Sequence, residues 1–274
     1  MKNFIFALVF SFVCVAASAQ KTGSLVLQFD NVVGNEALVL KDKQYTNAVG
    51  EQYNITFLQY YVSNLRLQRK NGSEYVVPQD QSYFLIRKQA PESHRMVLNH
   101  IPKGDYTGVS FVIGVDSLRS ASEASKRKGC LDVGGEGKDM YWAWNSGYIF
   151  VKMEGTSPQI PLTGNRKEPI FLYHIGLFGG MGDKKTLNNI KVANLTFGKE
   201  KVKIKTDKNT VIGIKTDVSK LFNGPTNVSL ATTPTVMAGP FSAKIADNYA
   251  TMFSYTGLKK EAAAADSKIA LGMK

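Results

Sequence analysis

The sequence predicts an all-β protein, an antiparallel β-sandwich-like single domain with short helical insertions. Short runs rich in β-branched and aromatic residues recur along the whole chain. Turn signals such as Asn71-Gly72 and Pro102-Lys103-Gly104 separate them, and helical periodicity is weak. Many short strands at this spacing are typical of sandwiches and barrels.

The expected elements follow one another without an internal repeat or a Pro/Ser-rich linker. We expect strands at 24–29, 37–41, 52–68, 83–87, 108–115, 147–155, 171–179, 194–205, 210–218 and 227–233. One or two helical turns are expected within 117–128, and a short helix within 243–253. The glycine-rich stretch from Gly176 to Gly182 is expected to be a turn or a bulge.

The N-terminus has the features of a secretory signal. Lys2 precedes an apolar run, and Ala17-Ser18-Ala19 fits a small-residue cleavage site before Gln20. The apolar run is too short to span a bilayer, and no other stretch is apolar and long enough. We therefore expect an exported protein with three segments: a signal peptide (1–19), a folded domain (20–258) and a mobile C-terminal tail (259–274).

The chain is strongly basic, with a formal net charge of +12. Its most basic part runs from Lys199 to Asn209, where Val202 and Ile204 alternate with lysines. This pattern predicts a strand with one lysine face, as on an exposed edge strand. A nucleic-acid site would need interleaved aromatic residues and arginine, which this segment lacks. Both an acidic protein partner and an anionic membrane surface are compatible with this positive charge.

Cysteine and histidine are scarce. Removal of the signal with Cys14 leaves Cys130 alone, which excludes an internal disulfide. We favour a buried, inert thiol over pairing with another chain or binding of a soft metal. The chain has three histidines and none of the serine-hydrolase, phosphate-loop or zinc-protease motifs. We expect that the protein is not an enzyme.

The stretch from Met140 to Gly155 contains both tryptophans of the chain, Trp142 and Trp144. In a strand, alternation places Met140, Trp142 and Trp144 on one face. An aromatic ladder in the core is one interpretation, and an oxidisable site is the other.

His174 lies in the apolar run FLYHIG. It is either a hydrogen-bonded core histidine or a metal ligand. Copper accepts imidazole and thioether ligands. Met140, Met153 and His174 would converge if the strands that carry them are neighbours, as sequential strands commonly are.

Several segments together resemble the MbnP-like periplasmic copper-binding family. They occur in family order and span nearly the whole mature chain: YYVSNLRL (60–67), FVIGVDSLRSAS (111–122), GCLDVGGEGKDMYWAWNSGYIFVKMEG (129–155), FLYHIG (171–176) and IADNYATMF (245–253). The resemblance implies a β-sandwich-like protein of the periplasm or cell surface of a bacterium.

The resemblance also implies a copper site. In this family a di-haem, peroxidase-like partner oxidises one tryptophan of the W-x-W pair to kynurenine, whose amine binds copper together with histidines. Trp142 or Trp144 would be the modified residue, and His174 and Met140 the metal ligands. Many relatives have a histidine in the first strand where this chain has Asn31, which implies one ligand fewer. The alternative is a metal-free β-sandwich that serves as a surface or interaction module.

Overall fold

The computed structural model describes residues 20–142, 147–164 and 166–261. The expected signal peptide and Trp144 lie outside these ranges, as does most of the expected tail. Strands dominate the described residues, which confirms the predicted all-β class.

The strands β1 to β18 are, in chain order, Thr22–Val33, Glu36–Ala37, Tyr45–Thr46, Gln52–Arg69, Glu74–Val76, Tyr83–Arg87, Arg95–Pro102, Gly104–Ile113, Tyr141–Trp142, Gly147–Thr156, Ile170–Gly176, Phe178–Met181, Lys184–Asn188, Lys191–Thr196, Val202–Ile204, Asn209–Asp217, Thr235–Val236 and Phe253–Lys259. The α-helices are α1, Ser117–Ser120, and α2, Phe241–Tyr249. Short 3-10 turns lie at Gln79–Gln81, Pro91–His94, Ala124–Lys126, Gly129–Leu131, Lys138–Met140 and Val218–Leu221.

The strands form two main sheets. In the smaller sheet the order is β18-β16-β1-β2, and β7 also pairs with β1. The larger sheet follows the path β14-β8-β4-β10-β11-β17, with β15 added on β8. Its long strand β4 pairs with β10 along its first half and with β8 along its second half. Most pairs are antiparallel, as predicted, but β1 and β16 run parallel, as do β11 and β17.

The main core lies between the inner faces of the two sheets. Phe29 of β1 makes edge-to-face contacts with Tyr60 of β4, Phe111 of β8 and Phe253 of β18, at ring-centroid distances of 6.4, 6.2 and 6.3 Å. These rings come from both sheets, and the side chains involved are buried. Because aromatic pairs in this geometry add to the energy of burial, they stabilise the packing of one sheet on the other.

A second apolar cluster lies on the outer face of the larger sheet. Alternation along β4 sends Tyr60 into the main core and Tyr61 to the opposite face, where it pairs across the strand with Leu85 of β6. The segment 116–142, which we call the cover, packs on this face. It contributes Leu131, Met140 and Trp142 to the cluster.

Several predicted elements differ from the structure. The expected strand at 37–41 is a strand only at Ala37, and the expected strand at 194–205 is divided into β14 and β15. The run at 227–233 is not a strand, because the buried carboxylate of Glu51 accepts hydrogen bonds from the backbone N–H groups of Leu230 (2.6 Å) and Ala231 (3.0 Å). The glycine-rich stretch is not only a turn: it forms β12 of a hairpin with β13. The helical pieces expected near 117–128 and 243–253 are present as α1, a 3-10 turn and α2.

Candidate functional site

Met140 and Trp142 meet in the second cluster, although not through one strand. Trp142 pairs with Gly147 in the short ladder between β9 and β10. Met140 instead ends a 3-10 turn, so strand alternation does not apply to it. Its side chain is fully buried, and Trp142 is 6% exposed. Of the predicted pair of indoles, the structure therefore places one, and Trp144 is outside the described residues.

The Trp142 indole lies over the end of β11. A Cβ atom added at Gly176 would come within 2.8 Å of Cζ3 of the indole and 2.5 Å of the Tyr148 carbonyl oxygen. Such approaches are closer than van der Waals contact allows, so only glycine fits here. Since Gly176 follows His174 by two residues in the same strand, the indole lies close along the strand to the imidazole.

His174 lies on the outer face of the larger sheet. β10 and β11 are antiparallel neighbours, as predicted, and His174 is paired with Lys152. Its Nε2 lies 2.7 Å from Oε1 of Glu154, and the side chain is 14% exposed. A carboxylate oxygen can only accept, so Nε2 carries the proton of the neutral ring. Nδ1 then carries the lone pair that a metal would use.

The charge state of His174 suits a ligand. Burial lowers the pKa of the imidazole below its usual value of 6.5, and the charge of Lys152 acts in the same direction. The hydrogen bond to Glu154 raises the pKa but does not outweigh burial. The ring is therefore neutral at neutral pH, as metal coordination requires.

Lys152 connects His174 to the cover. Its Nζ lies 3.6 Å from Oε1 of Glu154 and 5.0 Å from the centre of the Phe57 ring. It also donates a hydrogen bond of 3.4 Å to the carbonyl of Asp139, the residue before Met140. The chain of contacts from His174 through Glu154 and Lys152 thus ends at the turn that carries Met140.

The other two histidines, Met153 and Asn31 lie away from this site. Met153 belongs to the main core on the inner face, because it is paired with Tyr173 one position away from the outward-facing His174. His94 has its Nε2 2.9 Å from the carbonyl oxygen of Arg87, and His100 is exposed. Asn31 is also on the inner side, where it accepts a hydrogen bond of 3.0 Å from the Tyr60 hydroxyl.

Conventional donors alone do not form a closed metal centre in the part of the chain that the structure describes. No three His, Cys, Asp or Glu side chains come together there to hold an ion. The imidazole Nδ1 of His174, oriented by Glu154, is the donor that these residues offer beside Trp142. Further ligands would have to come from Met140, from an oxidised tryptophan or from residues 143–146.

The cover is fixed by a polar anchor that the sequence analysis missed. Asp116 caps α1 by accepting from the backbone N–H of Arg119 (3.0 Å). It also accepts from Nδ2 of Asn64 on β4 (2.9 Å) and from the hydroxyl of Tyr83 on β6. The sequence feature that indicates this anchor is an aspartate at the start of a short helical run, which is typical of an N-cap.

Two sheet tyrosines hold the middle of the cover. The Tyr61 hydroxyl donates to the carbonyl of Cys130 (2.7 Å), and the Tyr148 hydroxyl donates to that of Leu131 (2.6 Å). Cys130 itself is half-buried, and burial raises the pKa of its thiol to about 12. The thiol is therefore protonated at neutral pH, and a protonated thiol is a poor nucleophile.

Comparison with known proteins agrees with this architecture. A model of the MbnP family matches residues 22–238, so the chain belongs to the MbnP family. Among solved structures it is similar to MbnP from Methylosinus trichosporium, with a TM-score of 0.52 and 14% sequence identity, over 80% of this chain and 82% of that one. At this identity the likeness concerns the fold. A comparison with curated proteins gives no match.

The family match confirms the predicted resemblance and ends before α2 and β18. No helix within the described ranges is long and apolar enough to cross a membrane. At the C-terminal end of the domain, β18 continues through Lys259, which pairs with Val211 of β16. The strand therefore includes Lys259, the first residue of the expected tail.

Proposed function

We propose that this protein binds copper in an exported compartment, and that binding rather than catalysis is its role. The observation that carries the proposal is the position of His174. A neutral imidazole, oriented by a carboxylate, lies two residues from the glycine on which the Trp142 indole packs. An imidazole ligand held by a carboxylate through its other nitrogen is the usual arrangement in metal sites.

Oxidation of a tryptophan would supply the missing nitrogen donor. A di-haem, peroxidase-like partner would use two equivalents of peroxide to insert two oxygen atoms at the C2–C3 bond of the indole, releasing water. Hydrolysis then releases C2 as formate and leaves kynurenine with a free aniline amine. Trp142, whose six-membered ring faces β11 beside His174, is the candidate in the described part of the chain, and Trp144 is the second candidate.

Copper suits this set of donors. Imidazole and aniline nitrogens are borderline ligands, and the thioether of Met140 is a soft one. Lys152 disfavours copper binding, because its ammonium group lies 3.6 Å from Glu154 and repels a second cation nearby. Its hydrogen bond to the Asp139 carbonyl keeps it on the side of the cover.

Copper titration of the wild type and of His174→Ala tests the proposal, with and without prior treatment by a di-haem partner enzyme. We expect His174→Ala to weaken binding by at least about 100-fold, more than loss of an outer partner does. Glu154→Gln should weaken it by roughly 10-fold or more, since it removes the carboxylate that orients the ring. Each variant is checked for folding.

The matched control is His94→Ala. His94 is also part-buried and hydrogen-bonded through Nε2, but to a backbone carbonyl away from Trp142. The His94→Ala variant should therefore bind copper with the same affinity as the wild type. If the wild type binds copper no more tightly than His174→Ala under either condition, the protein is instead a metal-free interaction module.

A further inference from the structure

One end of the molecule collects exposed lysines from four parts of the chain. We call it the lysine end, and its members are Lys21, Lys70, Lys103, Lys201, Lys203, Lys205 and Lys208. On β15 the buried Val202 and Ile204 alternate with exposed lysines, as the sequence predicted. The row is therefore displayed on one face of this short strand at the edge of the sheet.

Backbone contacts bring the other lysines to this row. Lys203 is paired with Asp105, whose carbonyl accepts from the backbone N–H of Lys70 (3.0 Å). The N–H of Lys103 donates to the carbonyl of Lys21 (2.9 Å), and the carbonyl of Lys208 accepts from Ser24 (3.0 Å). These backbone contacts join the segments that carry the lysines in pairs.

The lysines at this end outnumber the carboxylates that lie among them, so a net positive charge remains. Asp105 and Asp207 lie among the lysines and are exposed. Yet none of the seven ammonium groups forms an ion pair with an acidic side chain of the described residues, whereas Lys43, Lys191 and Lys259 elsewhere do. Such a concentration of one sign of charge produces a local positive potential that attracts anionic surfaces.

We propose that the lysine end is a docking surface for an anionic phospholipid membrane. Lysine near an anionic bilayer contributes through charge alone, additively and without a shaped pocket. Specific protein interfaces are depleted in lysine and rely on aromatic and arginine anchors. At this end the ring beside β15, Tyr106, is 2% exposed. The neighbouring Arg69 is half-buried, with its guanidinium 5.9 Å from the centre of that ring, so neither side chain is displayed as a free anchor.

The surface is separate from the candidate copper site. In the larger sheet, β8, which carries β15, is connected to β11, which carries His174, through β4 and β10. Docking by the lysine end would therefore leave the cover and the His174 face accessible to a partner. The two proposals can fail independently, because one depends on charge at β15 and the other on donors at β11.

Sedimentation with lipid vesicles tests the proposal. We expect the full-length mature protein to bind vesicles of phosphatidylcholine with phosphatidylglycerol, but not vesicles of phosphatidylcholine alone. Binding should weaken as salt rises, since the charges are exposed. The variant K201Q/K203Q/K205Q should lower the partition coefficient by up to about 100-fold, because each lysine near the surface contributes roughly fivefold.

The control K167Q/K184Q/K185Q removes the same charge from exposed lysines outside the lysine end, and should retain most of the binding. Absence of binding to phosphatidylglycerol vesicles at low salt would overturn the proposal. An equal loss in both triple variants would overturn it too, since net charge alone would then explain the binding. Retention on polyaspartate without vesicle binding would point to an acidic protein instead.

Discussion

Gly176 sets how closely the Trp142 indole approaches β11. A methyl group at this position would meet the indole at 2.8 Å and the Tyr148 carbonyl at 2.5 Å. We expect Gly176→Ala to destabilise the protein by about 1–3 kcal/mol, the usual cost of overpacking a filled site. Urea denaturation gives the free energy of unfolding, and near-ultraviolet circular dichroism reports the Trp142 environment.

Gly239→Ala is the matched control for Gly176→Ala. Nothing lies within 4 Å of a Cβ added at Gly239. The free energy of unfolding of Gly239→Ala should stay within about 0.5 kcal/mol of the wild-type value. If Gly176→Ala were equally harmless, the indole would not be packed on β11, and the closeness of Trp142 to His174 would lose its support.

Asp116 holds the cover to the sheet and should give it a pH dependence. Burial raises the pKa of this carboxyl, but hydrogen bonds from Tyr83, Asn64 and the Arg119 N–H outweigh it and bring the pKa below 3.8. Replacement by Asn keeps the shape and removes the charge. We expect Asp116→Asn to lose about 2 kcal/mol at neutral pH, typical of hydrogen bonds to a charged group.

The sign of the pH effect follows from the lowered pKa. The contribution of Asp116 is complete above the pKa of the unfolded state and is lost as pH falls through the lower folded value. The stabilities of the wild type and Asp116→Asn should therefore converge in acid. Urea unfolding over a pH series measures this, with Asp183→Asn on an exposed turn as the control. A difference that is independent of pH would show that the charge does not hold the cover.

Part of the candidate site could be predicted from residue types. Met140 and Trp142 were expected together, and they share one buried cluster. The roles of Gly176 and Glu154 could not be predicted, because they depend on the register of β10 against β11. The register places Lys152 opposite His174. Because side chains alternate along β10, Met153 then faces the inner side.

At the scale of the elements, alternation predicted those strands whose two faces differ. The lysine-faced strand is present as β15, although it is much shorter than the expected strand at 194–205, and β10 and β11 are neighbours as predicted. The run at 227–233 was misjudged because its apolar side chains are buried in a loop. There two backbone N–H groups donate to the carboxylate of Glu51, which lies 179 residues or more away in the sequence. A local pattern carries no information about such a partner.

The C-terminal strand limits how much of the tail is dispensable. Lys259 pairs with Val211 in the sheet and forms an ion pair with Asp30, and Glu261 lies 3.6 Å from Arg95. We expect truncation after Glu261 to leave the melting temperature unchanged. Truncation after Leu258 should lower it by a few degrees, because exposed pairs contribute about 1 kcal/mol or less.

Thermal unfolding of the two truncated proteins beside the full chain measures the difference. The protein that ends at Glu261 is the control for the protein that ends at Leu258, since only residues 259–261 distinguish them. A fall of many degrees after removal of residues 262–274 alone would contradict the prediction that these residues are dispensable.

At the scale of the whole molecule, the fold class and the family could be predicted, but the topology could not. Short strands and turns predicted a sandwich, and five segments in family order indicated the MbnP family, which the family match over residues 22–238 confirms. The parallel pairing of β1 with β16 joins segments about 185 residues apart. Such long-range pairings are decided by packing of the two sheets and leave little trace in local sequence.

We have proposed that the protein is exported and carries copper on the outer face of the larger sheet, where Trp142 packs on Gly176 two residues from His174. Protein purified from the exported fraction of the native host tests it most directly, by copper analysis together with mass spectrometry of the peptide that contains Trp142 and Trp144. We expect bound copper and a mass change at one tryptophan that corresponds to kynurenine. Copper-free protein in which both tryptophans are unmodified, from cells supplied with copper, would contradict it.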